Sequence, residues 1–446
     1  MDAPAKPARP EDGSAGGASR EAAVKPPLRA ALVAIPVYLA SCAVPDGGLF
    51  RAARFRDVHV YQGYAEKLLD GSLPYRDVFV EYPPGAFAVF LPPTAFGADH
   101  YNAAFKTLMA LCGAATIVLV ALVLAELGAS QRRVWIGVGL LALSPIALGP
   151  ISLNTYDAWP ALLTVLALWL LLRGWELPAF AVLGLAVSAK VYPLVLVPLA
   201  GWFVWRRAGT RRTLLALGVL VVVAAAAVAP FAAYAPHGVY ESFHAQATRG
   251  LQIESLGASF LLVLDRLGLY HARVVETTGV AGRNLAGGTA EVVAGLLLAL
   301  EAVAVVTVWV LYARSHDLRK QLPLAFAAAV AGFLAFTKVF SPQYLVWLLP
   351  LVVAAGNVVA ISLAAAAVVL AQVWFFHYGA LFRLEWPVWL LFVRDLVMVA
   401  LYLALAASLA RWKIRMPSRS KTSRHSGLRR SQESWTAVGN GASRSA

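Results

Sequence analysis

Apolar residues fall in long uninterrupted runs along most of this chain, and the polar positions that separate them are few. Runs at about 29–45, 101–127, 134–151, 158–173, 177–189, 191–205, 213–235, 290–313, 321–336, 344–355, 357–376 and 388–410 predict roughly twelve membrane-crossing helices. The 177–189/191–205 pair and the 344–355 run are short enough to be broken or tilted helices. No internal repeat or inverted pair of halves stands out. The expected class is therefore an all-α polytopic membrane protein. Between the first two runs, residues 55–93 behave differently. Val58, Tyr61, Ala65, Leu68 and Leu69 recur at helical spacing, with Asp57 at the start and Gly71 where a helix would stop. This pattern predicts an amphipathic helix lying on the bilayer surface. A second short helix is expected from Pro83 or Pro84, because proline suits a first helical turn. The long 236–289 segment carries two further amphipathic patterns, around Tyr240–Ser255 and Leu256–Leu269.

Composition agrees: 60% of the 446 residues are hydrophobic and 14% charged, against about 25% charged in soluble proteins. The net charge of +14 changes the picture only through its distribution. With a cytoplasmic N-terminus, Arg132, Arg133, Arg206, Arg207, Arg211, Arg212, Arg314, Arg319, Lys320 and the basic tail all fall on the cytoplasmic side. That is the positive-inside asymmetry, so a multi-pass cell-membrane protein with both termini cytoplasmic is expected, and nucleic acid is not an expected partner. Residues 1–28 and 412–446 read as disordered tails, the second basic and serine-rich; residues 29–411 form the membrane domain, with 46–100 and 236–289 as extracytoplasmic loops. No cleavable signal peptide is evident. Cys42 and Cys112 both lie in apolar runs and have no metal-site spacing.

The chemistry comes from charges in unusual places. Lys190 and Lys338 each stand where an apolar run breaks, followed by a β-branched residue, an aromatic and a nearby proline. Charged groups at membrane depth mark sites, although lysines can also snorkel to headgroups. Two such lysines on one face suit an anion, phosphate above all. Asp57 on the same face cannot help bind phosphate, but it can accept a proton from a hydroxyl. Together these point to transfer of a group from a lipid phosphate to an alcohol. His59, Arg54, Arg56, Arg76 and His377 are further phosphate candidates. A lipid or solute transporter would use intramembrane charges as well.

The string Gly71, Pro74, Tyr75, Asp77, Glu81, Tyr82, Pro83, Pro84, with Lys190 and Pro193 and with the run Ser341–Tyr344, resembles glycosyltransferase family 87 of the GT-C superfamily, the polyprenol-phosphate-mannose-dependent mannosyltransferases. The resemblance implies a GT-C fold with extracytoplasmic amphipathic helices. It implies a polyprenyl-phosphate sugar donor, a glycolipid or glycan acceptor, and inversion at the sugar. It also implies that Asp57 is the general base, since inversion uses one carboxylate opposite the leaving group. Polyprenyl-phosphate arabinose is the alternative donor. Glu81, Tyr82, Asn154, Asp157, Gln343 and Tyr344 are the expected sugar or acceptor contacts; capping and turn roles remain open for Glu81 and Asp157. Many GT-C enzymes have two neighbouring acids in this loop. Here Val58 and His59 follow Asp57, so no metal or other cofactor is expected.

Overall fold

The computed structural model of the protein describes residues 15–45, 57–276, 282–378 and 386–411, with side chains from residue 26 onward. Its chain begins with α1 (Ala15–Val44), which starts within the stretch expected as a tail, and α2 (Asp57–Leu69). Next come the single turn α3 (Phe87–Phe90), the long α4 (Tyr101–Glu126), α5 (Gln131–Leu148) and another single turn, α6 (Ile151–Asn154). The centre of the bundle is built from α7 (Ala158–Arg173), α8 (Glu176–Ala189) and α9 (Val197–Tyr234). After α10 (Pro236–Ala247), β1 (Leu251–Gln252), α11 (Leu256–Arg266), β2 (Arg273–Glu276) and β3 (Arg283–Ala286), the chain returns to long helices. These are α12 (Gly288–Ala313), α13 (Leu318–Phe336), α14 (Leu345–Ala355), α15 (Val358–Phe376) and α16 (Trp386–Arg411).

Among the described residues, seven helical stretches are long and apolar enough to cross a membrane, while α7, α8 and α14 are shorter apolar helices. At 1.5 Å per residue α7 spans only about 24 Å, less than a hydrocarbon core of about 30 Å. Helix α9 is longer than any expected run because it joins two: Gly209, at φ +78°, breaks it into two arms at the boundary between the 191–205 and 213–235 runs. Gly174 and Gly356, also at positive φ, end α7 and α14. Asn357 and Asp317 cap α15 and α13 by accepting from Ala360 N and Lys320 N.

Charge sorts to one end of the bundle. There Glu126 at the end of α4 receives Arg319 Nη2 at 2.9 Å and Arg173 Nη1 at 3.4 Å. Arg133 donates to the carbonyls of Ala354 and Ala355. The basic residues of the sequence asymmetry thus also satisfy the orphan carbonyls of a helix C-terminus.

The other end carries the non-membrane segments. The expected surface helix forms as α2, burying Val58, Tyr61 and Ala65, and the expected Pro-led turn begins at Pro84 as a 3-10 turn running into α3. The 236–289 segment departs from expectation. Helix stops at Ala247, and a three-stranded antiparallel sheet of order β1-β3-β2 follows, pairing Leu251 with Leu285 and Val274 with Leu285. The apolar positions of 248–255 serve that sheet and not a helix. Leu251, Ile253, Leu261, Leu262 and Leu285 pack with Trp374, Val388 and Leu391 in a separate small core.

Candidate active site

The site lies where α2 packs against α3 and α4 and reaches Tyr156, just ahead of α7. Its floor is aromatic. The Tyr61 ring stacks on Phe90 at 4.4 Å and meets Tyr82 and Tyr156 edge-on at 5.4 and 5.6 Å. Such pairs contribute about 0.5–1.5 kcal/mol each beyond burial, which fixes α2 and so the position of Asp57 at its first residue.

The loop from Gly71 to Pro84 closes this shelf through local chemistry. Asp77 accepts from Leu73 N at 2.8 Å and pairs with Arg76 at 2.9 Å. Tyr75 holds φ +67° and donates its hydroxyl to Tyr82 O. The motif residues Pro74, Tyr75 and Asp77 therefore shape a turn. Gly85 presses on the backbone just before Lys190: a Cβ there would lie 2.5 Å from Ser188 C and 2.6 Å from Ala189 N. That contact locks the first loop to the end of α8.

Asp157 is fully buried ahead of α7. Its Oδ1 receives Lys190 Nζ at 2.5 Å and Trp347 Nε1 at 2.7 Å. Its Oδ2 is buried with no protein partner. The Lys190 ammonium sits 4.5, 5.1 and 4.8 Å from the ring centres of Tyr156, Tyr344 and Trp347, a cage that stabilises a desolvated cation. Trp347 is itself clamped between Tyr192 at 4.1 Å and Tyr344 at 4.2 Å.

Asp57 feels this assembly. Burial pushes its carboxyl up to about 7, with the charges of Asp157 and Glu81 raising it further and Lys190 opposing them. A helix N-terminus alone would favour the ionised form; here desolvation wins. The result is a carboxylate able to take up a proton near neutral pH.

The expected site residues are dispersed more than a single pocket would require. Glu81, Asp157 and Lys190 all act electrostatically on Asp57, and Tyr82 and Tyr344 line the same space. The two lysines, however, have separate partner sets. Lys338 donates to Ala247 O at 2.8 Å and has Glu301 as its charged neighbour, whereas Lys190 is neutralised by Asp157. His59 is exposed on the outer side of α2. His377 is tied to Val373 O at the end of α15, with its ring against Trp386. The Asn154 amide closes its own turn on Pro150 O, and Gln343 accepts from Ser341. Arg54 and Arg56 lie outside the described residues. Among those described, no group of three or more His, Cys, Asp or Glu side chains is placed to hold a metal ion.

Several site residues escaped the sequence reading. Trp347, Tyr156 and Tyr192 are lost among many aromatics near span ends, where an interfacial belt is the default; Tyr61 is legible only as a position on the apolar face of α2. Arg249 and Glu254 carry no motif, yet both are buried and both act on the Tyr344 hydroxyl. Arg394 and Asp395, neighbours in α16, are 3.0 Å apart. They also reach across: Arg394 donates to Glu254 O at 2.6 Å, and Ser259 donates to Asp395 at 2.6 Å.

The profile of glycosyltransferase family 87 matches residues 79–342. That segment includes Asp157, Lys190, Arg249 and Lys338 and begins after Asp57. No curated protein sequence matches the chain. Among solved structures, the crystal structure of ArnT from Cupriavidus metallidurans bound to undecaprenyl phosphate is similar, with 16% identity, a TM-score of 0.46, and coverage of 90% of this chain and 78% of that one.

Proposed function

The chain belongs to glycosyltransferase family 87, and from that premise we propose that it moves a hexose, mannose in the first instance, from a polyprenyl phosphate to a hydroxyl of a glycolipid or glycan. The observation that carries the proposal is the half-buried Asp57, held near neutrality beside a buried Asp157–Lys190 pair. The site belongs on the outer face, in keeping with the GT-C arrangement that the family resemblance implies. The basic residues gathered at the opposite end of the bundle support a cytoplasmic position for that end and for both termini.

In this mechanism Asp57 takes the proton of the acceptor hydroxyl as its oxygen attacks the anomeric carbon. The bond from that carbon to the phosphate oxygen breaks on the opposite face, and polyprenyl phosphate leaves with the electron pair. Configuration inverts in the single displacement. Asp57 then releases its proton to water. The free Oδ2 of Asp157 accepts a hydroxyl of the bound sugar; a buried carboxylate oxygen without a donor is otherwise costly. Tyr82, half-buried at the same place, offers its ring to the sugar.

The test is transfer of radiolabel from polyprenyl-phosphate mannose into an acceptor lipid extract, by membranes carrying wild type or Asp57→Asn. Loss of general-base catalysis removes about 10²–10⁴-fold of the rate. Label that crosses the bilayer without entering product would instead indicate transport. Incorporation from the arabinose donor and not the mannose donor would reassign the sugar.

A further inference from the structure

We propose that the cleft where α12 turns into α13 against the end of α16 binds a phosphodiester headgroup with free hydroxyls, supplied by an anionic lipid of the adjoining leaflet. The cleft is a cavity of about 70 Å³ whose lining includes Leu311, Arg314, Ser315, His316, Gln321 and Leu409. A single buried water needs about 10–15 Å³, so this space admits a polar group of several heavy atoms. It is remote from the candidate active site. The 26 residues of α12 rise about 39 Å from the sheet-bearing segment to this turn. The cleft is therefore separate from the transfer site, and its role does not depend on the transfer reading.

Gln321 is 2% exposed, yet neither its amide nitrogen nor its oxygen has a hydrogen-bond partner among the described residues. The Ser315 hydroxyl is likewise buried without one. Buried polar groups left unpaired are costly, and both of these residues stand in the cavity wall. The turn that carries Ser315 is closed: Tyr312 donates its hydroxyl to Leu318 O at 3.0 Å, and Ser315 N donates to Tyr312 O at 2.9 Å. Arg314 and His316 are exposed at the same wall. Among the described residues neither enters an ion pair, whereas Lys320 is paired with Asp317 at 3.3 Å and Arg319 with Glu126 at 2.9 Å. The Arg314 fork, the Ser315 hydroxyl and the Gln321 amide nitrogen all donate, which suits phosphate oxygens. Gln321 Oε1 can only accept, however, and the C-terminal end of α12 disfavours a bare phosphate. The ligand must donate hydrogen bonds as well as accept them. A glycerol or inositol phosphodiester does so; a choline phosphodiester does not. Leu311 and Leu409 seat the apolar part beneath the headgroup, and basic residues at a membrane surface attract anionic lipid.

The test is binding of dioctanoyl phosphatidylglycerol to the delipidated full-length protein in detergent, read by native mass spectrometry and by thermal shift. The lipid should bind saturably. Dioctanoyl phosphatidylcholine, with no net charge for Arg314 to meet, should bind roughly 10-fold more weakly. Arg314→Gln removes a charge-assisted contact, which corresponds to roughly a 10–100-fold weaker Kd. Gln321→Glu keeps the shape but sets a carboxylate against the phosphate, and should weaken binding as well. Gln321→Leu removes both unpaired atoms: Tm without lipid should hold or rise while the lipid-induced shift shrinks. A glutamine with a purely structural role would give the reverse, a lower Tm and an unchanged shift, and that result would overturn the proposal. So would equal binding of phosphatidylcholine, an unchanged Kd in both Arg314→Gln and Gln321→Glu, or a wild-type protein that retains no lipid and holds water alone in the cleft. Displacement of the lipid by equimolar sn-glycerol 3-phosphate or inorganic phosphate would overturn the lipid as the source. None of these readings uses transfer activity, so their failure leaves the transfer reading standing.

Discussion

The pairing of Lys190 with Asp157 makes a quantitative prediction that separates a structural ion pair from a phosphate-binding lysine. At 2.5 Å and an effective permittivity of about 20, the two charges attract by roughly 7 kcal/mol, much of it offset by desolvation. Removing one partner of a buried pair leaves the other uncompensated and typically costs about 3–5 kcal/mol, whereas replacing both is close to neutral. Lys190→Met strands a carboxylate that keeps only Trp347 as donor. Asp157→Asn strands an ammonium among three rings but keeps an acceptor for Trp347. Each single variant should therefore lose about 3–5 kcal/mol, and the double variant only about 0–2 kcal/mol, a coupling well above the roughly 0.5 kcal/mol expected of independent sites. Unfolding in mixed micelles by SDS titration, followed by tryptophan fluorescence, measures all four proteins of the cycle. Additive losses would refute the reasoning. So would a stable Lys190→Met protein whose donor KM rises 100-fold, because that lysine would then be serving the substrate and not the aspartate.

Other consequences follow from the same geometry. The rate of transfer should rise with pH through about 7 as Asp57 ionises; removing the Asp157 charge should move that limb to lower pH and removing Lys190 should move it to higher pH, read from kcat profiles of the residual activities. Gly85→Ala drives a methyl into the Ser188–Ala189 backbone and should destabilise the protein by about 1–3 kcal/mol, with loss of transfer, seen in the same unfolding and label assays. Glu254→Gln should match wild type at low pH. Because the folded-state carboxyl is raised to about 8 from an ordinary 4.5, wild type should lose stability relative to the variant as pH climbs between those values and level off above them.

Much of this protein is written in its one-dimensional pattern. Membrane spans follow from the length of apolar runs, and the start and stop of α2 from Asp57, the spacing of Val58, Tyr61 and Ala65, and Gly71. These are local properties: a helix in lipid satisfies its backbone within its own segment, so no distant residue is needed to read it. The family string from Gly71 to Pro84 was legible for the same reason, being contiguous. What remained hidden was pairing. Nothing near Lys190 in sequence announces Asp157, thirty-three positions earlier, as the carboxylate that neutralises it. Nor does anything near Arg394 announce Glu254 and Ser259. Whether a buried cation is available to a phosphate depends on which opposite charge lies within a few ångströms, because Coulomb energy in a poorly solvated interior is set by distance in space. The chain alone determined that charged groups occupy the ends of its helices; only the packing of α2, α7, α8 and the sheet-bearing segment decided which of them cancel.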